Sequence, residues 1–132
     1  MSMPQKKILV ADDDADIQNL LKIILETNGY LVSLAANVVE AVQKAENELP
    51  DLILLDVVMP GKSGWEACKL LKSQDKTKHI PIVIFTALSA TVGDKATVKY
   101  VEEAGANGYI PKPFKTEELL SEVKKHLEHE GR

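Results

Sequence analysis

Cysteine is nearly absent from this 132-residue chain: Cys68 stands alone, so no internal disulfide can hold the fold. Long apolar runs are missing too. The longest, such as Leu52–Leu55 and Ile82–Phe85, fall far short of the roughly 20 residues that a membrane-crossing helix needs. The N-terminus lacks the basic-then-apolar pattern of a secretory signal, and together these absences predict a cytoplasmic protein with no membrane partner. No block of basic residues could track a phosphate backbone. Twenty acids face sixteen bases, for a net charge of -4, which argues against nucleic acid as a direct partner. Gly/Ser linkers, low-complexity tracts and internal repeats are also lacking. At roughly 150 residues per domain, the length allows one domain and excludes a multi-domain enzyme.

What is present is a regular alternation of short apolar runs with longer segments of helical period, the pattern of an α/β fold. Lys7–Ala11 is apolar without polar alternation, as a strand buried on both faces must be, and it stops at Asp12-Asp13-Asp14. Apolar residues at 17, 20, 21, 24 and 25 then mark a helix over Ala15–Asn28, with Asp14 as its cap and Gly29 as its stop. Leu31–Ala35 reads as a second strand. Asn37 with Glu40 forms a capping box for a helix to about Glu48. The third strand, Leu52–Asp56, again ends on an acid. After the loop Met59-Pro60-Gly61, Ser63 with Glu66 opens a helix to about Gln74.

Ile82–Thr86 is the fourth strand. Thr91–Ala104 is a helix weakened by Gly93 and β-branched residues, and stopped by Gly105. Tyr109-Ile110 is a short fifth strand, placed at the sheet edge because Pro111 and Pro113 would cost a central strand its ladder hydrogen bonds. Thr116 is expected to cap a last helix to about Leu127, with Leu119, Leu120, Val123 and Leu127 inward. Five strands and five helices result.

Ligands of open parallel sheets sit beyond the carboxyl ends of the strands. Here those ends deliver Asp12-Asp13-Asp14, Asp56, Thr86 and Lys112. Taken alone, an acidic run is equally well read as a solvated turn. Converging carboxylates, however, raise each other's pKa unless a counter-charge intervenes, and a hard divalent cation such as Mg²⁺ suits oxygen ligands. A lysine and a threonine opposite such a cluster make sense if a phosphoryl group lies between them, since phosphoryl transfer needs mainly positioning and charge compensation. With no serine or cysteine at a strand end, the acceptor would be a carboxylate. Asp56 is the most central.

These residues resemble the receiver domain of two-component response regulators, the chemotaxis regulators among them. The resemblance rests on Asp12-Asp13, Asp56-Val57-Val58-Met59-Pro60-Gly61, Thr86-Ala87 and Lys112-Pro113-Phe114, in order and at the family's approximate spacing, and covers about Lys6 to Leu127. It implies a flavodoxin-like, doubly wound, three-layer fold with a parallel sheet of order 2-1-3-4-5. It also implies that Asp56 takes a phosphoryl group from a histidine kinase, a phosphotransfer protein or a small phosphodonor. Asp13, Asp56 and the Val58 carbonyl would bind Mg²⁺, or Mn²⁺ in its place, with Asp12 acting through water. Thr86, Ala87 and Lys112 would hold the phosphoryl group, and the Lys112–Pro113 peptide would be cis. Thr86 and Tyr109 would form the switch, although Tyr109 can also be read as an ordinary edge-strand aromatic. Output would pass through the face of the fourth helix, fifth strand and fifth helix to a downstream protein or a homodimer formed on phosphorylation. Such a protein is not an enzyme beyond its own phosphorylation and dephosphorylation.

The expected receiver domain spans residues 6–127, with 1–5 and 128–132 as flexible or added tails. It is read as a stand-alone module, with a receiver excised from a hybrid kinase or longer regulator as the alternative. Between Thr86 and Lys112 the chain is about four residues longer than the common receiver pattern, and Pro111 is unusual before the lysine. Val58 and Leu88 are apolar where family members vary residues near the attacking water, so slow dephosphorylation is expected. A metal-dependent phosphohydrolase is the rival from another class, but the Asp-x-Asp-x-Thr arrangement is missing after the first strand. A flavin-binding flavodoxin would need a hydroxyl-rich loop where only acids stand. Cys68 reads as a packing residue, Trp65 as a half-buried helix residue, and His79, His126 and His129 as surface groups without ligand spacing.

Overall fold

A computed structural model describes residues 5–57, 64–86, 99 and 101–127, with Thr86 described through its backbone only. Five parallel strands, β1 (Lys7–Ala11), β2 (Leu31–Ala35), β3 (Leu52–Leu55), β4 (Ile82–Thr86) and β5 (Gly108–Pro111), form one sheet of order β2-β1-β3-β4-β5. Helices α1 (Ala15–Thr27), α2 (Val38–Glu48) and α3 (Gly64–Ser73) follow the first three strands. Helical residues 101–104, here α4, and α5 (Thr116–Leu127) flank β5. Most of the expected fourth helix, residues 91–98, lies outside the described residues, as do the Met59-Pro60-Gly61 loop and Ser63.

The unbroken apolar strands are explained by a core on each side of the sheet. Leu9, Ala11, Ile53, Leu55, Ile82 and Ile84 pack with Ala41 and Ala45 of α2, Ala67, Cys68 and Leu71 of α3, and Ala104 of α4. The alternate residues Ile8, Val10, Leu52, Leu54, Val83 and Phe85 pack with Leu21 and Leu25 of α1 and with Leu119, Val123 and Leu127 of α5. Period-two alternation thus divides each strand between two apolar layers. Along α1, Leu21 and Leu25 are buried, whereas Leu20 stays exposed although it shares the same apolar period.

Local chemistry places the element ends. Asp14 caps α1, its carboxylate accepting from the Asp16 and Ile17 N–H groups, and Gly29 follows at φ 94°, which a side chain would strain. Asn37 caps α2, but the Glu40 carboxylate reaches back to the Ala36 N–H, one residue ahead of the cap. The third strand stops at Leu55, leaving Asp56 just beyond it. The expected Thr116 cap is also displaced: Thr116 is already helical, and the Lys115 carbonyl accepts from the Leu119 N–H while its N–H donates to the Glu118 carboxylate. Among the described residues, no helix is long and apolar enough to cross a membrane.

Candidate functional site

Two strand ends converge at the carboxyl rim. The Asp12 N–H donates to the Ala35 carbonyl at 3.0 Å and the Asp56 N–H to the Ala11 carbonyl at 2.9 Å, so the central strands carry their ladder one residue past their ends. Both acids are therefore held by the sheet. Asp12 is 1% exposed and Asp56 4%, while Asp13 stands in solvent. One Asp12 oxygen, Oδ1, accepts from the Asp14 N–H at 2.8 Å, tightening the turn into α1. From α1, the Gln18 amide donates to the Asp12 and Ala35 carbonyls at 2.6 and 3.0 Å.

On the other side, α3 starts so close to the end of β3 that its first residue must be glycine. A Cβ on Gly64 would lie 2.6 Å from both the Asp56 carbonyl oxygen and the Val57 Cα, and the Gly64 N–H donates to the Val57 carbonyl at 3.3 Å. The backbone around Asp56 is thus braced by a helix that a side chain would push away.

Lys112, just past β5, extends across the rim. Its ammonium lies 2.8 Å from Asp12 Oδ2 and 3.0 Å from Asp56 Oδ2, and 4.8 Å from the centre of the Phe85 ring. The side chain is 19% exposed, against 1% and 6% for the two carboxylates. Burial works to lower the lysine's pKa, but hydrogen bonds to Asp12 and Asp56, with the charges behind them, leave it above its ordinary value. The peptide joining Lys112 to Pro113 is cis. Beside it, Ile17, Leu20, Pro113 and Phe114 line an apolar groove of about 320 Å³ that opens next to the lysine.

Among the described residues, the rim is short of positive charge. One carboxylate oxygen each from Asp12, Asp13 and Asp56 lie within 4.8 Å of one another, and Lys112 offsets only one of the three charges. Two negative charges remain among hard oxygen donors. That set suits a divalent cation such as Mg²⁺, which takes one or two protein carboxylates and keeps waters.

Two of the remaining expected site residues lie on strands. Thr86 ends β4 with its backbone in register with Pro111, and Tyr109 is in register with Ile84. The Tyr109 ring packs on the core beside α4, and its hydroxyl is shielded from solvent without a hydrogen-bond partner among the described residues. Val58, Ala87 and Leu88 lie outside the described residues. Cys68 is buried, as a packing residue should be, with its thiol 3.4 Å from the Ala104 carbonyl; burial pushes its pKa up to about 11 against the pull of Lys72. Trp65 is half-buried on α3. His126 is not the surface group expected: its ring lies 3.0 Å from the Glu122 carboxylate, with a side chain only 12% exposed. The space comes from Gly108, where a Cβ would collide with that carboxylate. The sequence alone does not single out Gln18 and Gly64, since an amide on a helix and a glycine ahead of one carry no signal without the fold.

The family described as the response regulator receiver domain matches residues 8–124. The DNA-binding response regulator MtrA of Mycobacterium tuberculosis is 35% identical over 127 residues, covering 96% of this chain and 53% of that protein. The chain spans about half the length of the curated relatives it matches. A CheY-like receiver domain protein from Methanospirillum hungatei superposes with a TM-score of 0.85 at 31% identity, over 96% of both chains. The receiver domain of the sensor histidine kinase PA1611 from Pseudomonas aeruginosa, solved with a magnesium ion coordinated in its active site cleft, has a TM-score of 0.83 at 31% identity, covering 94% of this chain and 98% of that one. Sequence, sheet order and site together establish that the chain belongs to the response regulator receiver domain family.

Proposed function

We propose that this receiver, spanning residues 6–127, accepts a phosphoryl group on Asp56 from a histidine kinase or phosphotransfer protein, in a Mg²⁺-dependent reaction. One observation carries the reading: Asp56 is a buried carboxylate at a central strand end, bridged by Lys112 to Asp12, with Asp13 within reach of the same cation. A carboxylate oxygen of Asp56 forms a bond to phosphorus as the phosphorus–nitrogen bond of a phosphohistidine breaks. The bonding electrons leave with the imidazole, which takes up a proton. Asp13, Asp56 and the Val58 carbonyl are the proposed cation ligands, and Asp12 acts through water because Lys112 and the Asp14 N–H already occupy both its oxygens. The cation, when bound, supplies charge neutralisation. The groove beside Lys112 is the surface a phosphodonor protein meets as its histidine approaches.

After transfer, Lys112 exchanges a carboxylate contact for a phosphoryl oxygen, and Thr86 and Ala87 hold the others. Hydrogen bonds to charged groups contribute about 1.5 to 3 kcal/mol each. Two of them approach the roughly 5.5 kcal/mol that reverses a two-state equilibrium from 1:99 to 99:1. Thr86 and Tyr109 carry that change to the face formed by α4, β5 and α5, where a downstream protein or a second copy binds. The chemistry is confined to the protein's own phosphorylation and dephosphorylation. Intact mass after incubation with acetyl phosphate provides the test. A gain of one phosphoryl group that needs Mg²⁺ is the expected result; no gain under any condition would overturn the reading.

A further inference from the structure

Asp13 has no side-chain support of its own. Its carboxylate is exposed and makes no hydrogen bond or ion pair with the described residues, yet it must meet the oxygens of Asp12 and Asp56 around one point. Its position is therefore set by the backbone that carries it. That backbone is a three-residue turn from β1 to the α1 cap, clamped from two sides. The Asp14 N–H binds Asp12 Oδ1, and the Gln18 amide binds the Asp12 carbonyl, which belongs to the peptide joining Asp12 to Asp13.

The Gln18 contact is specific in its chemistry. β2 ends at Ala35, so the Asp12 carbonyl has no further ladder donor, and Asp12 is almost fully buried. Gln18 lies in the first turn of α1, its own N–H bound to the Asp14 carbonyl, and its side chain leans back toward the helix N-terminus. The same amide nitrogen reaches both the Asp12 and the Ala35 carbonyls. Turning the amide over would set its oxygen against two other oxygens, so the donor assignment is forced. One side chain thereby ties the ends of β1 and β2 to α1 at the point where the cluster begins.

We infer that Gln18 is a positioning residue for the cation cluster: its amide fixes the Asp12–Asp13 peptide plane, and through it the direction of the Asp13 carboxylate. The inference rests on the proposed reading of the rim as a Mg²⁺ site. Partners that orient metal ligands typically change metal affinity by about 10- to 100-fold when removed. Gln18→Met keeps the length and removes the donor, whereas Gln18→Lys keeps a donor of similar reach and adds a positive charge. Charge alone would make the lysine variant the weaker Mg²⁺ binder; positioning makes it the stronger.

The test is calorimetric titration of the full chain and both variants with Mg²⁺, after circular dichroism has established the folded fraction. About tenfold weaker binding in folded Gln18→Met, with Gln18→Lys between it and the unsubstituted chain, is the expected result. Unchanged affinity in a folded Gln18→Met would reduce Gln18 to a structural tie, and so would Gln18→Lys binding more weakly than Gln18→Met. Should Gln18→Met fail to fold, the lysine variant decides alone: affinity within about threefold of the unsubstituted chain supports positioning, and a tenfold loss overturns it. An unsubstituted chain that binds no Mg²⁺ would overturn the rim reading itself, and this inference with it.

Discussion

The two ends of the same sheet treat polar groups differently. At the amino end, polar groups are matched locally. The Lys7 N–H donates to the Asp51 carboxylate and the Asp51 N–H to the Lys7 carbonyl, both at 2.8 Å, and Asn107 exchanges bonds with Ile82 at 2.9 and 2.7 Å. The Lys72 ammonium donates to the Ile80 carbonyl at 2.7 Å. At the carboxyl end, three carboxylates cluster and only two of them pair with the Lys112 ammonium, which among the described residues leaves charge uncompensated. Satisfied pairs build structure. The excess at the other end costs stability, and the proposed cation and phosphoryl chemistry would explain its retention.

Removing Lys112 should sharpen that contrast most. Lys112→Met leaves two buried carboxylates without their shared partner, a change expected to cost about 3 kcal/mol by urea denaturation in chelator, part of it recovered with Mg²⁺. The lysine's folded pKa lies above its ordinary value, so its contribution is complete below the unfolded pKa and is lost as pH rises through the folded one. The stability gap between the two proteins should therefore stay constant from neutral pH to about pH 10 and close above it. A gap that closed near pH 7 would break the account of the bridge.

Gly64→Ala comes next. Its methyl would drive α3 away from Asp56 and Val57, at about 2 kcal/mol, with slower phosphorylation by acetyl phosphate. At the amino end, Asp51→Ala should cost about 1.5 kcal/mol and leave Mg²⁺ affinity unchanged. Asp13→Asn should do the opposite, raising metal-free stability by about 0.5 kcal/mol while weakening Mg²⁺ binding more than about tenfold. Were Asp13→Asn destabilising in chelator, the excess-charge account would fail. Smallest of all, Cys68 should resist alkylation at pH 8 in the folded protein, its thiol being buried with a pKa pushed up to about 11.

Much of this architecture was legible because each signal had one physical meaning. Apolar strands without alternation could only be buried on both faces, and Asp14 and Asn37 could be read as caps from their positions ahead of apolar periods. The acids and the lysine of the rim followed from where parallel strands end. What stayed hidden depended on packing across elements. Periodicity cannot tell Leu21 from Leu20, one buried and the other lining a groove. His126 is half-buried because Gly108, on another element, leaves room for its pair with Glu122. Gln18 finds its two carbonyls only once β1 and β2 are adjacent. The Thr116 cap was misplaced because Glu118 satisfies Lys115 from inside the helix, which the sequence pattern alone does not distinguish.

The central claim is that Asp56, among three clustered carboxylates, is the one that takes the phosphoryl group. Borohydride reduction of protein treated with acetyl phosphate and Mg²⁺ converts an aspartyl phosphate to homoserine, and peptide mapping then locates it. The account predicts homoserine in place of Asp56 alone, with none when Mg²⁺ is withheld. Homoserine at Asp12 or Asp13, or at no position, would contradict it.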